Sequence, residues 1–454
     1  MSLFGKLTPE QTLKMRSLAD EYLGFLSKYH ADRERVQWAQ ALLLSKGFVH
    51  RELGDEAGLR PGDRFFYVNH HKSLIAGVCG TATADSGFTF VGAHGDYPHL
   101  DLKPNFVNAM KDQGVVTLKC HYFGGVKKYQ QATTPMMLKG FVQRPDGLHS
   151  FTVGDKPSDP VFTIPDLLIH LSSEQAERKM RDVVKGEELN TLAMSAPADD
   201  TVEMTPAFLA LLERETGVTA AEVPFCEFQL FPAFPARFVG LDRSMIGGPG
   251  QDDGICVFTE MHALVDLQDT PAATAVACIY GYEETGSSGC TGAQSGSLVY
   301  TLKDVMYALG LAERQHARAF YRSLLVSADV TALFDPNFPA VHDKLNAAVM
   351  NRGIGLSRYT GSGGKNGSSE APTELLHAIR TCVGDDFLYQ FANLGRIDIG
   401  GGGTIAKFIG ERMNAPVVDM GPGLLNMHSP FEVCGVADLW SAYEVYGRIF
   451  ANHK

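Results

Sequence analysis

The chain lacks closely spaced cysteines. Its eight cysteines are scattered between Cys79 and Cys434, and none of them forms a C-x-x-C pair. This spacing excludes a zinc-finger pattern and gives no sign of a disulfide framework. Most of the cysteines lie in apolar surroundings, where a reduced thiol packs like a small hydrophobic side chain. We therefore expect a reducing compartment, and the cytoplasm is the simplest one.

Long apolar runs and an excess of basic residues are also missing. The chain has no uninterrupted run of about 18 apolar residues, the length that a membrane-spanning helix needs. Charges at Lys6, Glu10, Lys14 and Arg16 interrupt any signal-peptide core. The 40 Lys and Arg residues are outnumbered by 52 Asp and Glu residues, which leaves a formal charge of −12. That balance disfavours a polyanion such as DNA. We expect neither a membrane span nor a nucleic-acid partner.

What the chain has is length and a globular composition. Its 454 residues exceed one usual domain of roughly 100–200 residues, and 44% hydrophobic with 20% charged residues is typical of a folded protein. Thr8-Pro9-Glu10-Gln11 predicts a helix start with a capping box, and a second helix is expected from Asp32 to Ser45. Two domains are the natural expectation for this length.

Short apolar runs predict buried strands, and helical patterns alternate with them. The strands are expected at Phe88–Ala93, Ala272–Tyr282, Leu324–Ala328 and Pro416–Val418, with helices near Ser295–Gly310 and Glu370–Arg380. Strands that alternate with helices favour an α/β fold with a largely parallel sheet.

The stretch from Leu102 to Gly240 has a different pattern. Gly114–Phe123, Met136–Gln143 and Phe225–Phe231 read as β-strands, with turn residues between them. We therefore predict a discontinuous α/β domain, residues 1–101 and 241–454, that is interrupted by a β-rich domain, residues 102–240.

Histidine and acidic residues follow several of the predicted strands. In open α/β sheets, functional sites lie beyond the carboxyl ends of the strands, so these residues are expected to converge on one crevice. A further pair, Asp252-Asp253, follows a glycine-rich loop and precedes an apolar segment. The residues at the strand ends are His94 and Asp96, Glu283 and Glu284, Asp329, and His428.

Two histidines with three carboxylates suit a pair of divalent ions. Zinc is the most natural choice for this ligand set, with manganese or cobalt as alternatives. A carboxylate can bridge two ions that together activate a water molecule. Adjacent glutamates can divide the work, since one can bind metal while its neighbour moves the proton.

Eight motifs are distributed in order along the whole chain: His94–Pro104, His121–Tyr129, Gly250–Asp253, Glu283–Gly286, Ser327–Asp329, Tyr359–Lys365, Gly400–Thr404 and Met427–Pro430. Together they resemble the M18 family of metalloaminopeptidases, in particular its bacterial aminopeptidase branch. The fold that this resemblance implies is a zinc-peptidase-like mixed α/β sheet flanked by helices, with an inserted β-rich dimerisation domain.

The resemblance also implies roles for the residues at the strand ends. It assigns His94 and Asp329 to one metal ion and Glu284 and His428 to the other, with Asp252 bridging. Glu283 matches the general base that takes a proton from the bridging water, and Asp96 matches the carboxylate beside the first histidine. The implied reaction is removal of the N-terminal residue from peptides.

One motif departs from the family pattern, and another suggests an assembly. The family usually has His-Thr-Asp-Ser-Pro where this chain has His94-Gly95-Asp96-Tyr97-Pro98, so Tyr97 is expected to reshape the nearby pocket. Within the insertion, Ile164–Leu171 resembles the segment whose histidine, here His170, reaches a neighbouring active site. The family's usual assembly is a tetrahedral dodecamer built from dimers.

The sequence defines substrate recognition less well than it defines the metal ligands. Tyr359, Lys365 and Gly402 lie in segments that match loops lining the family's substrate pocket. The bacterial branch favours neutral or hydrophobic N-terminal residues, and Lys365 leaves open a preference for acidic ones. A related dinuclear-zinc deacylase and a non-catalytic scaffold are further alternatives. A dinucleotide-binding oxidoreductase is disfavoured because Gly400–Gly403 lacks the G-x-G-x-x-G spacing.

Overall fold

The structure is a computed structural model that describes residues 2–196, 203–385 and 388–454. Helices and strands alternate through much of the chain. The helices are α1 Pro9–Lys28, α2 Asp32–Ser45, α3 Ser173–Ala176, α4 Met204–Thr216, α5 Gln251–Val265, α6 Ser297–Ala308, α7 Glu313–Tyr321, α8 Thr373–Val383, α9 Ala406–Met413 and α10 Val436–Asn452.

The strands are β1 Val49–His50, β2 Arg64–Asn69, β3 Ser73–Val78, β4 Phe88–His94, β5 His99–Met110, β6 Val115–Phe123, β7 Met136–Arg144, β8 Gly147–Val153, β9 Asn190–Met194, β10 Glu227–Pro232, β11 Arg237–Val239, β12 Met245–Gly248, β13 Thr274–Tyr280, β14 Leu324–Ser327, β15 Thr331–Ala332, β16 Ile354–Ser357, β17 Tyr389–Phe391, β18 Val417–Gly421, β19 Gly423–Leu424 and β20 Glu432–Gly435. Two compact units divide these elements. The first contains the described residues up to Tyr97 together with Ala236–Met427 and Phe431–Lys454, and the second contains Pro98–Pro235 and His428–Pro430.

A mixed nine-stranded sheet forms the centre of the first unit. Its strand order is β1-β2-β3-β13-β4-β14-β18-β16-β17. The central strands β13, β4, β14 and β18 run parallel to one another, whereas β3 and β16 are antiparallel to their inner neighbours. The predicted sheet is therefore parallel at its centre, with antiparallel pairs on both sides of that centre and parallel pairs, β1–β2 and β16–β17, at its two edges.

Helices cover both faces of this sheet because its central strands are apolar on both sides. In β13, Ala275, Ala277 and Ile279 pack towards α1, α2, α5, α8 and α10. The alternate side chains Val276 and Cys278 pack towards α6, α7 and α9. A strand buried on both faces reads as a continuous apolar run, which is why the sequence pattern predicts it.

The two N-terminal helices start where local sequence signals predict. The Thr8 side chain accepts a hydrogen bond from the Gln11 backbone at 3.2 Å, and the Gln11 side chain accepts one from the Thr8 backbone at 2.9 Å. This capping box begins α1, and α2 spans Asp32–Ser45 as expected.

The second unit is built on a six-stranded antiparallel sheet. Its strand order is β8-β7-β10-β5-β6-β9. The strands expected near residues 114–123, 136–143 and 225–231 are observed as β6, β7 and β10. Leu212 and Phe208 of α4 join the apolar core of this sheet.

All eight cysteines are free. Across the described ranges, the helices are too short or too polar to span a membrane.

Candidate metal centre

Four elements of the first unit bring acidic residues and a histidine to one edge of the central sheet. His94 is the last residue of β4, and Asp329 lies two residues beyond β14. Glu283 and Glu284 begin a short 3-10 helix after β13. Because β13, β4 and β14 are parallel neighbours, their carboxyl ends meet at the same edge.

The aspartates of α5 approach the same edge. Asp252 and Asp253 lie in the first turn of that helix, where their backbone departs from helical geometry. His94 Nε2 is 3.2 Å from Asp252 Oδ1 and 3.9 Å from Asp329 Oδ1, and the three side chains are buried. His94, Asp252 and Asp329 therefore lie close together within the first unit.

Two sets of three potential ligand atoms can be distinguished there. One set comprises His94, Asp253 and Asp329, and the other comprises His94, Asp252 and Glu284. Within each set, the ligand atoms lie within 4.8 Å of one another. Two ligand atoms on a tetrahedral zinc ion are about 3.3–3.6 Å apart, given metal–ligand bonds of about 2.0–2.2 Å. The donor types fit a zinc ion, and the separations of 3.2 Å and 3.9 Å from His94 Nε2 lie on either side of that range.

The hydrogen bonds of His94 leave the correct ring nitrogen facing the carboxylates. His94 Nδ1 lies 3.0 Å from the main-chain oxygen of Asp96, to which it can donate as an N–H group. The lone pair is then on Nε2, which points to Asp252 and Asp329. A histidine fixed in this way by its second nitrogen is typical of metal sites.

Asp96 holds the two adjacent glutamates by their backbone. Its Oδ1 accepts a hydrogen bond from the Glu283 N–H, and its Oδ2 accepts one from the Glu284 N–H, both at 3.1 Å. Asp96 is buried, whereas both glutamates are partly exposed. The carboxylate of Asp96 therefore positions the backbone of the Glu283-Glu284 pair.

Glu432 holds the start of α5 in the same manner. Its Oε2 accepts hydrogen bonds from the backbone N–H groups of Gln251 at 2.6 Å and Asp252 at 3.1 Å. The side chain of Gln251 donates in turn to the Glu432 carbonyl oxygen at 2.6 Å. Asp252 is thereby fixed through its main chain.

Burial gives the cluster unusual protonation properties. It raises the pKa of Asp253 and of Asp329 well above the usual range, and nearby negative charges, including Glu283 beside Asp329, add to the effect. Burial alone would lower the pKa of His94, but hydrogen bonds to Asp252 and Asp96 raise it overall. A divalent cation would offset this concentration of negative charge. Asp253 Oδ1 is buried and has no hydrogen-bond partner among the described residues, which also suits a cation.

Asp253 is the residue whose position sequence reasoning did not define. It is fully buried, and its Oδ2 accepts a hydrogen bond from the backbone N–H of His94 at 3.2 Å. Its adjacency to Asp252 was the available signal. Sequence alone does not tell which of two consecutive carboxylates turns inward at a distorted helix start.

Two predicted site residues lie in the second unit and outside these sets. His428 Nδ1 is 2.9 Å from the carbonyl oxygen of Gly125, and its metal-binding role stays a prediction. His170 is exposed in a short 3-10 helix, Ile169–Leu171, next to the exposed Leu168.

The predicted substrate loops are bound to each other. The Gly361 N–H donates to the Gly402 carbonyl oxygen at 3.0 Å. The Lys365 ammonium group lies 3.8 Å from the centre of the Tyr359 ring, a cation–π contact. Lys365 therefore already has a partner within its own loop.

Tyr97, the departure from the family motif, is buried in the first unit. Its hydroxyl lies 3.0 Å from His30 Nδ1, and the Arg35 guanidinium lies 5.0 Å from the centre of its ring. The ring also occupies the space that a side chain at Gly250 would need. Tyr97 thus packs beneath the loops that carry the ligands.

Comparisons with known proteins agree with this architecture. A family model described as aminopeptidase I zinc metalloprotease (M18) matches residues 25–450. A probable M18 family aminopeptidase 1 from Thermotoga neapolitana is 38% identical over 448 residues, which cover 97% of this chain and 96% of the relative. The one from Borreliella burgdorferi strain ZS7 is 35% identical and covers 98% of both chains.

A solved M18 family aminopeptidase from Thermotoga maritima has the same fold. It superimposes with a TM-score of 0.92 at 34% sequence identity, covering 100% of this chain and 99% of its own. The family match and the shared fold define a metallopeptidase, a class of hydrolase. The chain belongs to the M18 family of aminopeptidases. The predicted family and the predicted α/β class are confirmed.

Replacing Asp96 by asparagine tests its positioning role. Asp96→Asn puts an amide NH₂ group against one of the two backbone N–H donors, so the Glu283-Glu284 turn should shift. We expect zinc affinity to fall by about 10–100-fold, the usual effect of losing a group that orients a ligand. Competition with a chelator measures this loss.

Asp438→Asn is a matched control. Asp438 is equally buried, and its two oxygens accept backbone hydrogen bonds from Asn351 at 2.7 Å and Gly353 at 2.8 Å. Neither of these hydrogen bonds reaches a turn that carries a proposed metal ligand. Equal losses of zinc affinity in both variants would contradict the specific role of Asp96.

Proposed function

We propose that the chain is a dinuclear metal-dependent aminopeptidase with Asp252 as the bridging ligand. The clustering of Asp252 with both His94 and Glu284 carries this proposal. An imidazole nitrogen has one lone pair, whereas a carboxylate has two oxygens and can serve two ions. His94 and Asp329 would hold one ion, and Glu284 would hold the other.

His428 completes the second ion's ligand set in this proposal. Its assignment rests on the match of Met427–Pro430 to the family motif. Zinc suits the imidazole and carboxylate ligands best, and manganese or cobalt can occupy similar sites. When bound, such ions supply a water molecule of lowered pKa and polarise the substrate carbonyl group.

Glu283 is the proposed general base. It lies next to a ligand, Glu284, is partly exposed, and is anchored at its backbone by Asp96. Its negative charge also contributes to the raised pKa of Asp329, after burial and the charge of Asp253. Glu283 would accept a proton from the attacking water and return it to the leaving amine of the peptide.

The second unit is proposed as the dimerisation domain, with His170 completing a neighbouring active site. His170 is exposed between Ile169, which is 80% exposed, and Leu171, which is 66% exposed. Adjacent exposed apolar side chains of this kind mark interaction surfaces. His170 would donate a hydrogen bond to the oxyanion that forms during hydrolysis.

Assembly into a tetrahedral dodecamer built from dimers is part of the same proposal. The solved S. cerevisiae mApe1 structure, with 21% sequence identity, is described as a dodecamer. Each catalytic centre would then depend on assembly for its His170. A cytoplasmic location also stays a prediction, and the free cysteines are consistent with it.

Neutral or hydrophobic N-terminal residues are the proposed substrates. Lys365 is the basic residue of the matching loop, and its contact with the Tyr359 ring reduces its availability to an acidic side chain. A free amino terminus is expected to be required.

The adjacent glutamates allow a direct test of the general base. Glu283→Gln removes the proton acceptor and keeps the ligand Glu284, so turnover should fall by about 10²–10⁴-fold with both metal ions retained. Glu284→Gln should instead release metal. Metal analysis and initial rates on the same preparations separate the two effects. Near wild-type turnover of the metal-loaded Glu283→Gln variant would disprove the assignment.

The role of His170 can be tested without disturbing the fold. His170→Ala should assemble normally and lower kcat by about 10²-fold or more, as loss of an oxyanion donor does. His149→Ala is the control, because His149 is a partly exposed histidine of the same unit that pairs with Asp146. Sedimentation measures assembly and steady-state kinetics measure kcat. Full activity of an assembled His170→Ala variant would refute the cross-subunit role.

A panel of aminoacyl substrates distinguishes the remaining alternatives. Leucyl and alanyl substrates should be cleaved with higher kcat/KM than aspartyl or glutamyl ones, and an N-acetylated peptide should be resistant. Preference for acidic residues would identify an aspartyl-type aminopeptidase, and rapid cleavage of the blocked peptide would identify a deacylase. Lack of bound metal and of activity would indicate a scaffold.

A further inference from the structure

A buried arginine binds the backbone next to the proposed metal ligands. Arg35 of α2 is fully inaccessible to solvent, which is unusual for a side chain that is always charged. Its guanidinium donates to three main-chain carbonyl oxygens: Tyr29 at 3.3 Å, Gly95 at 3.1 Å and Gly250 at 2.6 Å. These bonds replace the water that the cation loses on burial.

Two of those carbonyl groups belong to the turns that carry the proposed ligands. Gly95 lies between His94 and Asp96, and Gly250 immediately precedes Gln251-Asp252. Arg35 Nη1 binds the first turn and Nη2 binds the second. One rigid, planar group therefore spans the two segments whose ligand atoms, His94 Nε2 and Asp252 Oδ1, are 3.2 Å apart.

The packing around the guanidinium fixes its orientation. The Tyr97 ring lies beneath it at 5.0 Å, and the Tyr97 hydroxyl is held near His30. At Gly250, φ is +70°, and a Cβ would lie 2.7 Å from Arg35 Nη2. The close approach of this turn to Arg35 thus requires glycine.

We propose that Arg35 is a positioning residue for the metal centre. By binding the backbone of both turns, Arg35 sets the separation between the His94 turn and the Asp252 turn. The inference rests on the proposed dinuclear site. In this proposal Arg35 contacts neither the substrate nor a metal ion. Arg35 would affect metal affinity through the geometry of the ligands.

The charge of Arg35 provides a way to separate geometry from electrostatics. A nearby cation repels a metal ion, so an electrostatic role alone predicts that neutral variants bind zinc more tightly. A geometric role predicts that both Arg35→Lys and Arg35→Met bind zinc more weakly. Lysine keeps the charge but has a single ammonium group in place of the planar fork that reaches two carbonyl groups.

The experiment is a zinc competition assay with a chelator, performed well below the unfolding temperature of each metal-free variant. Both Arg35→Lys and Arg35→Met are expected to lose about tenfold or more in zinc affinity, the scale seen when groups that orient metal ligands are removed. At raised free zinc, the activity of Arg35→Lys should recover towards that of the wild type.

Arg51→Lys is the matched control. Arg51 is also buried, contacts the Tyr67 hydroxyl at 3.0 Å, and donates to the carbonyl oxygens of Asp55 and Ala57. That loop carries no proposed ligand. The control is expected to lose thermal stability while its zinc affinity stays that of the wild type.

The outcomes separate this inference from the proposed function. A wild-type protein that takes up no zinc contradicts the dinuclear site, and the inference fails with it. Wild-type zinc affinity in Arg35→Lys, or an equal loss of zinc affinity in Arg51→Lys, contradicts only the role of Arg35 and leaves the dinuclear site standing. If neither Arg35 variant folds, Tyr97→Leu removes the ring beneath the guanidinium and should weaken zinc binding about two- to fivefold. Unchanged affinity in that variant also refutes the role.

Discussion

The architecture of the first unit depends on holding several carboxylates around one buried imidazole. Asp252, Asp253 and Asp329 are nearly inaccessible to solvent, as is His94. Removing a charge from water costs several kcal/mol per ion, which is consistent with the raised pKa of Asp253 and Asp329. A divalent cation bound between the carboxylates would offset that cost. The fold can maintain such a cluster because the parallel strands and α5 fix its members from outside.

This support acts on the backbone of the ligand-bearing turns. Asp96 accepts from the N–H groups of Glu283 and Glu284, Glu432 accepts from those of Gln251 and Asp252, and Arg35 donates to the carbonyl groups of Gly95 and Gly250. Each supporting side chain is charged and buried. These groups bind main-chain atoms of the turns and not the side chains of the proposed ligands. The site is therefore organised by three charged groups outside the proposed ligand set.

The sequence predicted the parts of this site that follow from local patterns. Apolar runs placed β4, β13 and β14, so residues just after them, such as His94 and Asp329, were expected at one edge of the sheet. The inward turn of Asp253 and the role of Arg35 were not predictable in this way. Arg35 is 60 residues from Gly95 and 215 from Gly250 in the chain, and a periodic pattern carries no information on such contacts. Family motifs supplied the assignments of His428 and His170, which stay predictions.

The same strands also connect the proposed substrate loops to the metal edge. Asp419 of β18 is paired with Ser327 of β14, and Ser327 lies two residues before Asp329 in the chain. Its carboxylate is buried and accepts hydrogen bonds from Thr404 at 2.7 Å and Ser369 at 2.8 Å. Thr404 belongs to one of the two segments that are joined through Gly361 and Gly402, and the Ser369 hydroxyl lies 2.9 Å from that of Thr360 in the other. A shift of β18 relative to β14 would therefore move both loops with respect to Asp329, so one strand pairing links the proposed substrate loops to a proposed metal ligand.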